Sequence, residues 1–182
     1  TGTLAVAPDG ERLAYVGRSA TGVEQIWIRD RDQLYARPLA GTTQATSVTF
    51  SPDGRQVAFV TSSPWVLKVA PVDGATPVVV SDSLVASGGA AWGNDGFLYL
   101  PGAFDGRIGL VRVAALGGVP TAVTMIDSAL HAQAHLYPAL LPNGRGVLFS
   151  IWYGPTRPTE TDIAVADIPT GHIRVLLRGL RA

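Results

Sequence analysis

Ser51-Pro52-Asp53-Gly54, followed at once by Arg55-Gln56-Val57-Ala58-Phe59-Val60, joins a tight turn to an apolar strand. Ala7-Pro8-Asp9-Gly10 opens a second copy of this unit, and weaker copies open at Gly93 and at Leu141. The turn glycines fall at positions 10, 54, 96 and 144, so the copies are 44, 42 and 48 residues apart. A period in the forties that joins short strands predicts a β-propeller, with one antiparallel sheet, or blade, per repeat.

The turn itself has a chemical explanation. Pro52 sets its own φ, the carboxylate of Asp53 bonds nearby backbone, and Gly54 accepts a positive φ without steric cost. Each turn therefore closes a hairpin between the first two strands of a blade. The residues just before the turns, Val6, Phe50, Trp92 and Leu140, are expected to pack between adjacent blades.

The repeats predict one all-β domain over residues 1–182, a β-propeller of four consecutive four-stranded antiparallel blades. Sixteen strands are expected, with at most a helical turn around Asp127–Gln133. Four blades make a partial propeller or half of a larger ring, so the end blades would expose apolar faces and favour a homo-oligomer. The expected blades span residues 3–40, 46–81, 88–125 and 135–178.

Composition narrows the classes of function. The 182 residues carry 14 basic and 14 acidic side chains, and this zero net charge gives no reason to expect binding to nucleic acid or to an anionic membrane surface. No apolar run approaches the length that spans a bilayer. The chain has no cysteine, which excludes disulfide and thiolate chemistry. Because it starts at Thr1 without a methionine or a leader pattern, we expect a piece of a longer protein.

The candidate catalytic and metal-binding motifs of this sequence are incomplete. His131 and His135 have the spacing of zinc ligands on a helix, with Asp127 as a third donor, but His135 leads into a predicted strand, where this spacing separates the two rings. The carboxylates at Asp30-Arg31-Asp32 and Asp105-Gly106 lack the rest of a calcium loop. No Gly-x-Ser-x-Gly nucleophile motif occurs. We therefore predict no catalytic residue, no metal and no cofactor.

A binding surface is expected on one edge of the sheets. Connections in a meander alternate between two edges, and the longer ones, at 17–23, 40–46, 81–88, 101–108, 125–135 and 152–160, share one of them. Variable loops on a rigid scaffold are where binding residues usually lie. Aromatic and arginine side chains on a proline-stiffened loop at 152–158 resemble interface hot spots, although Trp152 and Tyr153 would equally well close the last blade. The predicted binding residues are Arg18, Asp105, Arg107, His131, Trp152, Tyr153 and Arg157.

The unit at 51–60 resembles the WD40-like repeat of TolB-type propellers, in which Ser-Pro-Asp-Gly precedes a strand containing Ala-Phe or Ala-Tyr. The first repeat has Ala7 in place of the serine, the third lacks the proline, and the fourth has Asn143 in place of the aspartate. The chain as a whole is similar to propellers attached to bacterial serine/threonine kinases. The resemblance implies a binding or sensing domain in an extracytoplasmic compartment of a bacterium.

Three functions fit these observations. The first is a non-enzymatic sensor or scaffold that binds a protein or a small molecule. The second is the substrate-gating propeller of a prolyl-oligopeptidase-like peptidase, whose catalytic domain would lie elsewhere. The third, a propeller enzyme of the lactonase or glycosidase kind, needs acidic groups along the central axis, and the innermost strands contain none. The first is therefore preferred.

Overall fold

A computed structural model describes residues 3–86, 88–127, 131–155 and 160–180, with Val85, Gly179 and Leu180 described by their backbone alone. Seventeen strands form in these ranges. Their bounds are β1 Leu4–Val6, β2 Arg12–Arg18, β3 Glu24–Asp30, β4 Arg37–Pro38, β5 Ala45–Phe50, β6 Gln56–Ser62, β7 Trp65–Pro71, β8 Val78–Ser81, β9 Val85–Ala86, β10 Ala91–Trp92, β11 Phe97–Phe104, β12 Arg107–Ala114, β13 Thr121–Ala122, β14 Ala134–Leu140, β15 Gly146–Trp152, β16 Thr161–Asp167 and β17 Ile173–Leu180.

The strands form four antiparallel sheets in sequence order, which confirms the predicted four-bladed propeller. Each blade is a meander of four strands, β1–β4, β5–β8, β10–β13 and β14–β17. One strand, β9, is additional to the sixteen predicted, and it pairs with β11 on the same side as β10. No helix occurs among the described residues, so none there has the length and hydrophobicity needed to cross a bilayer. Residues 128–130 of the possible helical turn lie outside the described ranges.

The tight turn of blade two has the predicted chemistry. Gly54 has φ +69°, the left-handed conformation that favours glycine. The Ser51 hydroxyl donates to Oδ1 of Asp53 at 2.6 Å, and the Arg55 backbone N–H donates to the same oxygen at 3.1 Å. These bonds lower the pKa of Asp53 below its usual value, with the Ser51 bond as the largest cause. The turn is thus stabilised by its own residues.

Three apolar clusters form the core, and each joins two consecutive blades. Blade one packs Ile26 and Ile28 against Phe50 and Phe59 of blade two, and all four side chains are buried. The second cluster joins blades two and three, and the third joins blades three and four. Burying a side chain of this size contributes about 1.5–3 kcal/mol, so each buried residue at these boundaries adds to the stability of the fold.

The prediction that every residue before a tight turn packs between blades is wrong at one position. Phe50 is buried, and Trp92 and Leu140 pack against the second and third clusters. Val6, however, is 59% exposed. It lies on the side of blade one that faces away from blade two, where no described blade covers it.

The alternation of connections defines two rims. The tight-turn rim holds the connections between the first and second strands and between the third and fourth strands of each blade, such as 51–55 and 72–77. The long-loop rim holds the connections between second and third strands and between blades. One long loop predicted there is wrong, because β11 and β12 extend to a two-residue turn at Asp105-Gly106 instead of leaving 101–108 open.

Candidate functional site

The predicted binding residues are spread along the long-loop rim. Arg18 ends β2 of blade one and forms an exposed ion pair with Glu24, Nη2 to Oε1 3.3 Å. Asp105, with φ +51°, occupies the turn of the blade-three hairpin, and Arg107 begins the next strand with its side chain exposed. His131, with φ +60°, lies exposed in the connection to blade four. No described contact brings these four side chains together.

The aromatic pair at 152–153 is divided between two sides of blade four. Trp152 is not in a loop, since it ends β15 and pairs with Ala134 and Thr161. It shares a sheet face with Leu148, the face away from blade three. Tyr153 instead packs into the cluster between blades three and four. Arg157 lies outside the described residues, so the predicted cluster is represented by Tyr153 alone.

Tyr153 lines a cleft at the long-loop end of the boundary between blades three and four, with a volume of about 730 Å³. We call it the blade-three/four cleft. A drug-sized ligand occupies a pocket of this order. Its walls come from the connection that follows β13, from the ends of β15 and β16, and from β17. The lining residues are Met125, Asp127, Ala132, His135, Ile151, Tyr153, Glu160, Asp162, Ile173, Val175 and Arg178.

His135 is the most deeply buried polar group of this cleft, with 2% of its surface exposed. Its Nδ1 is hydrogen-bonded to the Thr124 hydroxyl at 2.8 Å, and the same hydroxyl oxygen accepts the Leu110 backbone N–H at 2.9 Å. Its ring packs on Phe149, with centroids 4.6 Å apart. Burial lowers the pKa of His135 to about 4, so the ring is neutral at physiological pH.

The second ring nitrogen of His135, Nε2, differs from Nδ1 in its hydrogen bonding. Within the described ranges, Thr124 is the only hydrogen-bond partner of His135, which leaves Nε2 without one. Nε2 is not among the fully buried side-chain atoms that lack a partner, so it is accessible from the cleft that the ring borders. A ligand in the cleft has this nitrogen available as a hydrogen-bond partner.

Carboxylates surround the cleft. The Tyr153 hydroxyl donates to Oδ2 of Asp162 at 2.7 Å, a bond that joins the two ends of the connection between β15 and β16. Asp162 is buried, whereas Glu160 is exposed at the entrance. Together with Asp127, three carboxylates line the cleft, against one described cation, Arg178. The described lining is thus acidic above an apolar floor.

The two residues with the spacing of zinc ligands lie in different environments. His135 is buried in β14 and lines the cleft, whereas His131 is exposed and does not line it. Among the described residues no group of three or more histidine, cysteine or acidic side chains has the geometry to hold a metal ion.

The cleft contains residues that no sequence motif indicates. Glu160, Asp162 and Arg178 carried no motif. The one available signal was polar residues in otherwise apolar strands, since His135 interrupts β14 and Asp162 interrupts β16. A charged or titratable side chain inside an apolar strand needs a partner, which points to a site even without a recognised spacing.

A second, smaller cavity of about 470 Å³ lies on the tight-turn rim. Residues of all four blades line it, Pro8, Pro52, Asp95 and Asn143 among them. Its one carboxylate already has a partner within blade three, since the Tyr99 hydroxyl donates to Oδ2 of Asp95 at 2.6 Å. Burial and this bond raise the pKa of Tyr99. The blade-three/four cleft is therefore the better candidate.

No family model and no curated protein matches this sequence. Among solved structures, a TolB-type protein from Agrobacterium tumefaciens superimposes with a TM-score of 0.80 at 16% identity, over 98% of this chain and 66% of that chain. TolB from Acinetobacter baumannii superimposes with a TM-score of 0.76 at 17% identity, over 97% of this chain and 43% of that chain. The fold is that of the TolB-type propellers.

The TolB-type fold does not by itself decide between binding and catalysis. Hydrazine synthase from Kuenenia stuttgartiensis also superimposes, with a TM-score of 0.72 at 13% identity, over 96% of this chain and 49% of that chain. Identities at this level establish a common fold alone. The present chain spans about two thirds of the first of these neighbours and less than half of the other two. The resemblance to kinase-attached propellers stays a prediction.

Proposed function

We propose that this TolB-type propeller is a non-enzymatic binding domain that takes its ligand in the blade-three/four cleft. The observation that carries the proposal is His135, a buried neutral imidazole that borders a cleft of about 730 Å³ with Nε2 unpartnered among the described residues. The cleft also lies on the long-loop rim, where a propeller can vary its connections without disturbing its core.

The chemistry of the cleft selects the ligand. Ile151, Ile173 and Val175 provide apolar surface, and the described carboxylates outnumber the described cations around it. An organic cation with an apolar body complements both features, and His135 supplies one further hydrogen-bonding atom. A lysine or arginine side chain of a protein partner, flanked by apolar residues, has this chemistry.

The resemblance in the repeats supports a proposal for the compartment and the larger protein to which this domain belongs. We place the domain in an extracytoplasmic compartment of a bacterium, as the sensor or scaffold part of a larger protein. The fold shared with TolB supports a binding role, because TolB-type propellers commonly serve as binding domains or scaffolds. The peptidase-gating function stays an alternative prediction.

Two small probes test the ligand class. Phenethylamine carries an ammonium group on an apolar ring, and 2-phenylethanol replaces that group by a neutral hydroxyl. Titration of the ¹⁵N-labelled chain with phenethylamine should shift the amide signals of residues near His135, Tyr153 and Val175, whereas 2-phenylethanol should bind at least several-fold more weakly. Equal binding of both probes, or shifts outside the cleft only, would contradict the proposal.

A matched pair of variants locates the binding charge. Glu160→Gln removes one carboxylate at the cleft entrance, and we expect about a fivefold loss of phenethylamine affinity, which corresponds to about 1 kcal/mol. Glu11→Gln makes the same change on the tight-turn rim, where Glu11 pairs with Arg31 at 3.1 Å, and should leave the affinity unchanged. An equal loss in both variants would show that the total charge matters and not the cleft.

A further inference from the structure

The hydroxyl of Thr42, in the connection that follows blade one, provides an internal reference for the hydroxyl that holds His135. It accepts the Ile26 backbone N–H at 3.0 Å and donates to the Leu39 carbonyl at 2.7 Å. Because a carbonyl oxygen can only accept a hydrogen bond, the direction of the second bond is fixed. The buried Thr42 hydroxyl thus accepts from the third strand of its blade and donates its own proton elsewhere.

Thr124 has the corresponding role after blade three, with His135 in place of the carbonyl. Its hydroxyl oxygen accepts the N–H of Leu110, in the third strand of that blade, and is bonded to Nδ1 of His135. If Nδ1 carried the proton, the hydroxyl would accept both bonds, and its own proton would have no acceptor within the described ranges. Thr124 is buried, and a buried O–H without a partner is costly. Nδ1 is therefore the acceptor of this bond.

The proton of the His135 ring then lies on Nε2. A neutral imidazole carries a single proton, so the nitrogen that does not accept from Thr124 is the one that carries it. Nε2 is accessible from the blade-three/four cleft. The cleft therefore presents a hydrogen-bond donor at His135, and a ligand that uses it must carry an acceptor atom there.

His135 begins a row of three side chains on one face of blade four. The register pairs His135 of β14 with Ile151 of β15, and Ile151 with Asp162 of β16. Residues directly opposite each other in neighbouring strands project to the same face of a sheet. All three residues line the cleft. A donor, an apolar side chain and a carboxylate thus follow one another across the strands.

The row also sets the size of a matching ligand. Neighbouring strands lie about 4.7–4.9 Å apart, so the Cα atoms of His135 and Asp162, two strands apart, are separated by roughly 10 Å. The ammonium group of a lysine lies at the end of a four-carbon stem, which separates it from the backbone carbonyl. With a hydrogen bond of about 3 Å at each end, an extended lysine residue spans the row.

We propose that the cleft binds a lysine residue of a peptide across this row. The Nε2–H of His135 donates to the backbone carbonyl of the lysine, the stem packs on Ile151, and the ammonium group lies beside the carboxylates of Asp162 and Glu160. This inference rests on the function proposed above and adds the part of the ligand that His135 recognises. His135 would then determine specificity, since it distinguishes a peptide from a simple amine.

Three small probes separate the parts of this ligand. N-acetyl-lysine N-methylamide contains all of them, pentylamine lacks the amide groups, and N-acetyl-norleucine N-methylamide lacks the ammonium group. In titrations of the ¹⁵N-labelled chain, the lysine probe should shift the amide signals of His135, Ile151 and Asp162 and bind about fivefold more tightly than either of the others, the difference expected from one hydrogen bond or one ion pair. Binding of pentylamine in the cleft as tight as that of the lysine probe would overturn this proposal alone. If neither pentylamine nor phenethylamine shifted these signals, the proposed cation-binding function would fail with it.

A matched pair of variants and one spectrum test the role of His135. His135→Gln keeps an N–H donor in the side chain, whereas His135→Leu has none. The preference for the lysine probe over pentylamine should vanish in His135→Leu and stay at about threefold or more in His135→Gln. A preference that survives in His135→Leu, or is lost equally in both variants, would overturn the proposal. A long-range ¹H–¹⁵N correlation spectrum of the wild-type chain at pH 7, which needs no variant to fold, should place the proton on Nε2, and a proton on Nδ1 would also overturn it.

Discussion

Polar side chains on the two rims of this propeller form hydrogen bonds over different distances along the sequence. On the tight-turn rim, a side-chain oxygen bonds backbone only two residues away, as Asp9 does with the Glu11 N–H at 2.9 Å and Asn143 with the Arg145 N–H at 3.0 Å. On the long-loop rim, Thr124 bonds Leu110 and His135, which are 14 and 11 residues away. The tight turns are thus closed by local bonds, although longer contacts such as that from Arg37 Nη2 to the Val72 carbonyl, 2.7 Å, also reach this rim. The bonds of Thr124 depend instead on how separate strands approach each other.

This difference has an energetic consequence. A change in a tight turn should disturb mainly the local bonds of that turn. A change near Thr124 should disturb the strand that carries Leu110, the connection to blade four, and the burial of His135 together. Mutations on the long-loop rim are therefore expected to cost more stability than equivalent mutations on the tight-turn rim, and the following predictions test this.

The largest effect is expected for Gly109→Ala. A Cβ at Gly109 would overlap the backbone carbonyl of Thr124, which lies against it on the neighbouring segment. Because backbone cannot rotate away as a side chain can, we expect a loss of about 3 kcal/mol in the free energy of unfolding, measured by urea denaturation. Gly106→Ala, in the turn of the same hairpin, meets nothing within 4 Å and has φ +71°, so it should cost only about 1 kcal/mol. Equal losses would contradict the close approach.

The next largest effect is the pH dependence of the free energy of unfolding, which should differ in its pH range between groups on the two rims. The folded pKa of His135, about 4, lies below its unfolded value near 6.5, so the unfolded chain binds more protons between these values. The contribution of the neutral His135 ring to stability is complete above pH 6.5. The free energy of unfolding should fall by about 2–3 kcal/mol as the pH drops from 6.5 to 4. Denaturation of wild type and His135→Gln at pH 7, 5 and 4 measures this, and the variant should show a flatter profile over that range.

The tight-turn rim should respond at lower pH. Hydrogen bonds from Ser51 and Thr170 lower the pKa values of Asp53 and Asp167 from 3.8, so their contribution is present above that value and is lost only as the pH falls below it. A wild-type profile that is flat between pH 6.5 and 4 and declines only below would mean that His135 is not buried as described.

The same contrast explains what the sequence could predict. The four turns were predictable because Pro52, Asp53 and Gly54 act on backbone within the turn, and their recurrence gave the blades and the order of the strands. The cleft was not, because Tyr153 and Asp162 meet only after β15 and β16 pair, and Thr124 reaches His135 only across a connection between blades. Trp152 and Tyr153, adjacent in sequence, were expected to act together, yet the end of β15 places them on different sides of blade four.

The smallest effect, and the test of the locally stabilised turns, is expected for Gly54→Ala. A Cβ there would meet only ordinary contacts, the nearest being Oδ2 of Asp9 at 3.6 Å, so its cost comes from the positive φ alone and should be about 1 kcal/mol. Gly54→Asn should cost less, because asparagine tolerates the left-handed conformation better than alanine does. Urea denaturation of both variants checks the order. A loss for Gly54→Ala as large as that for Gly109→Ala would show that the tight-turn rim is coupled to the rest of the blade, and the contrast between the rims would then fail.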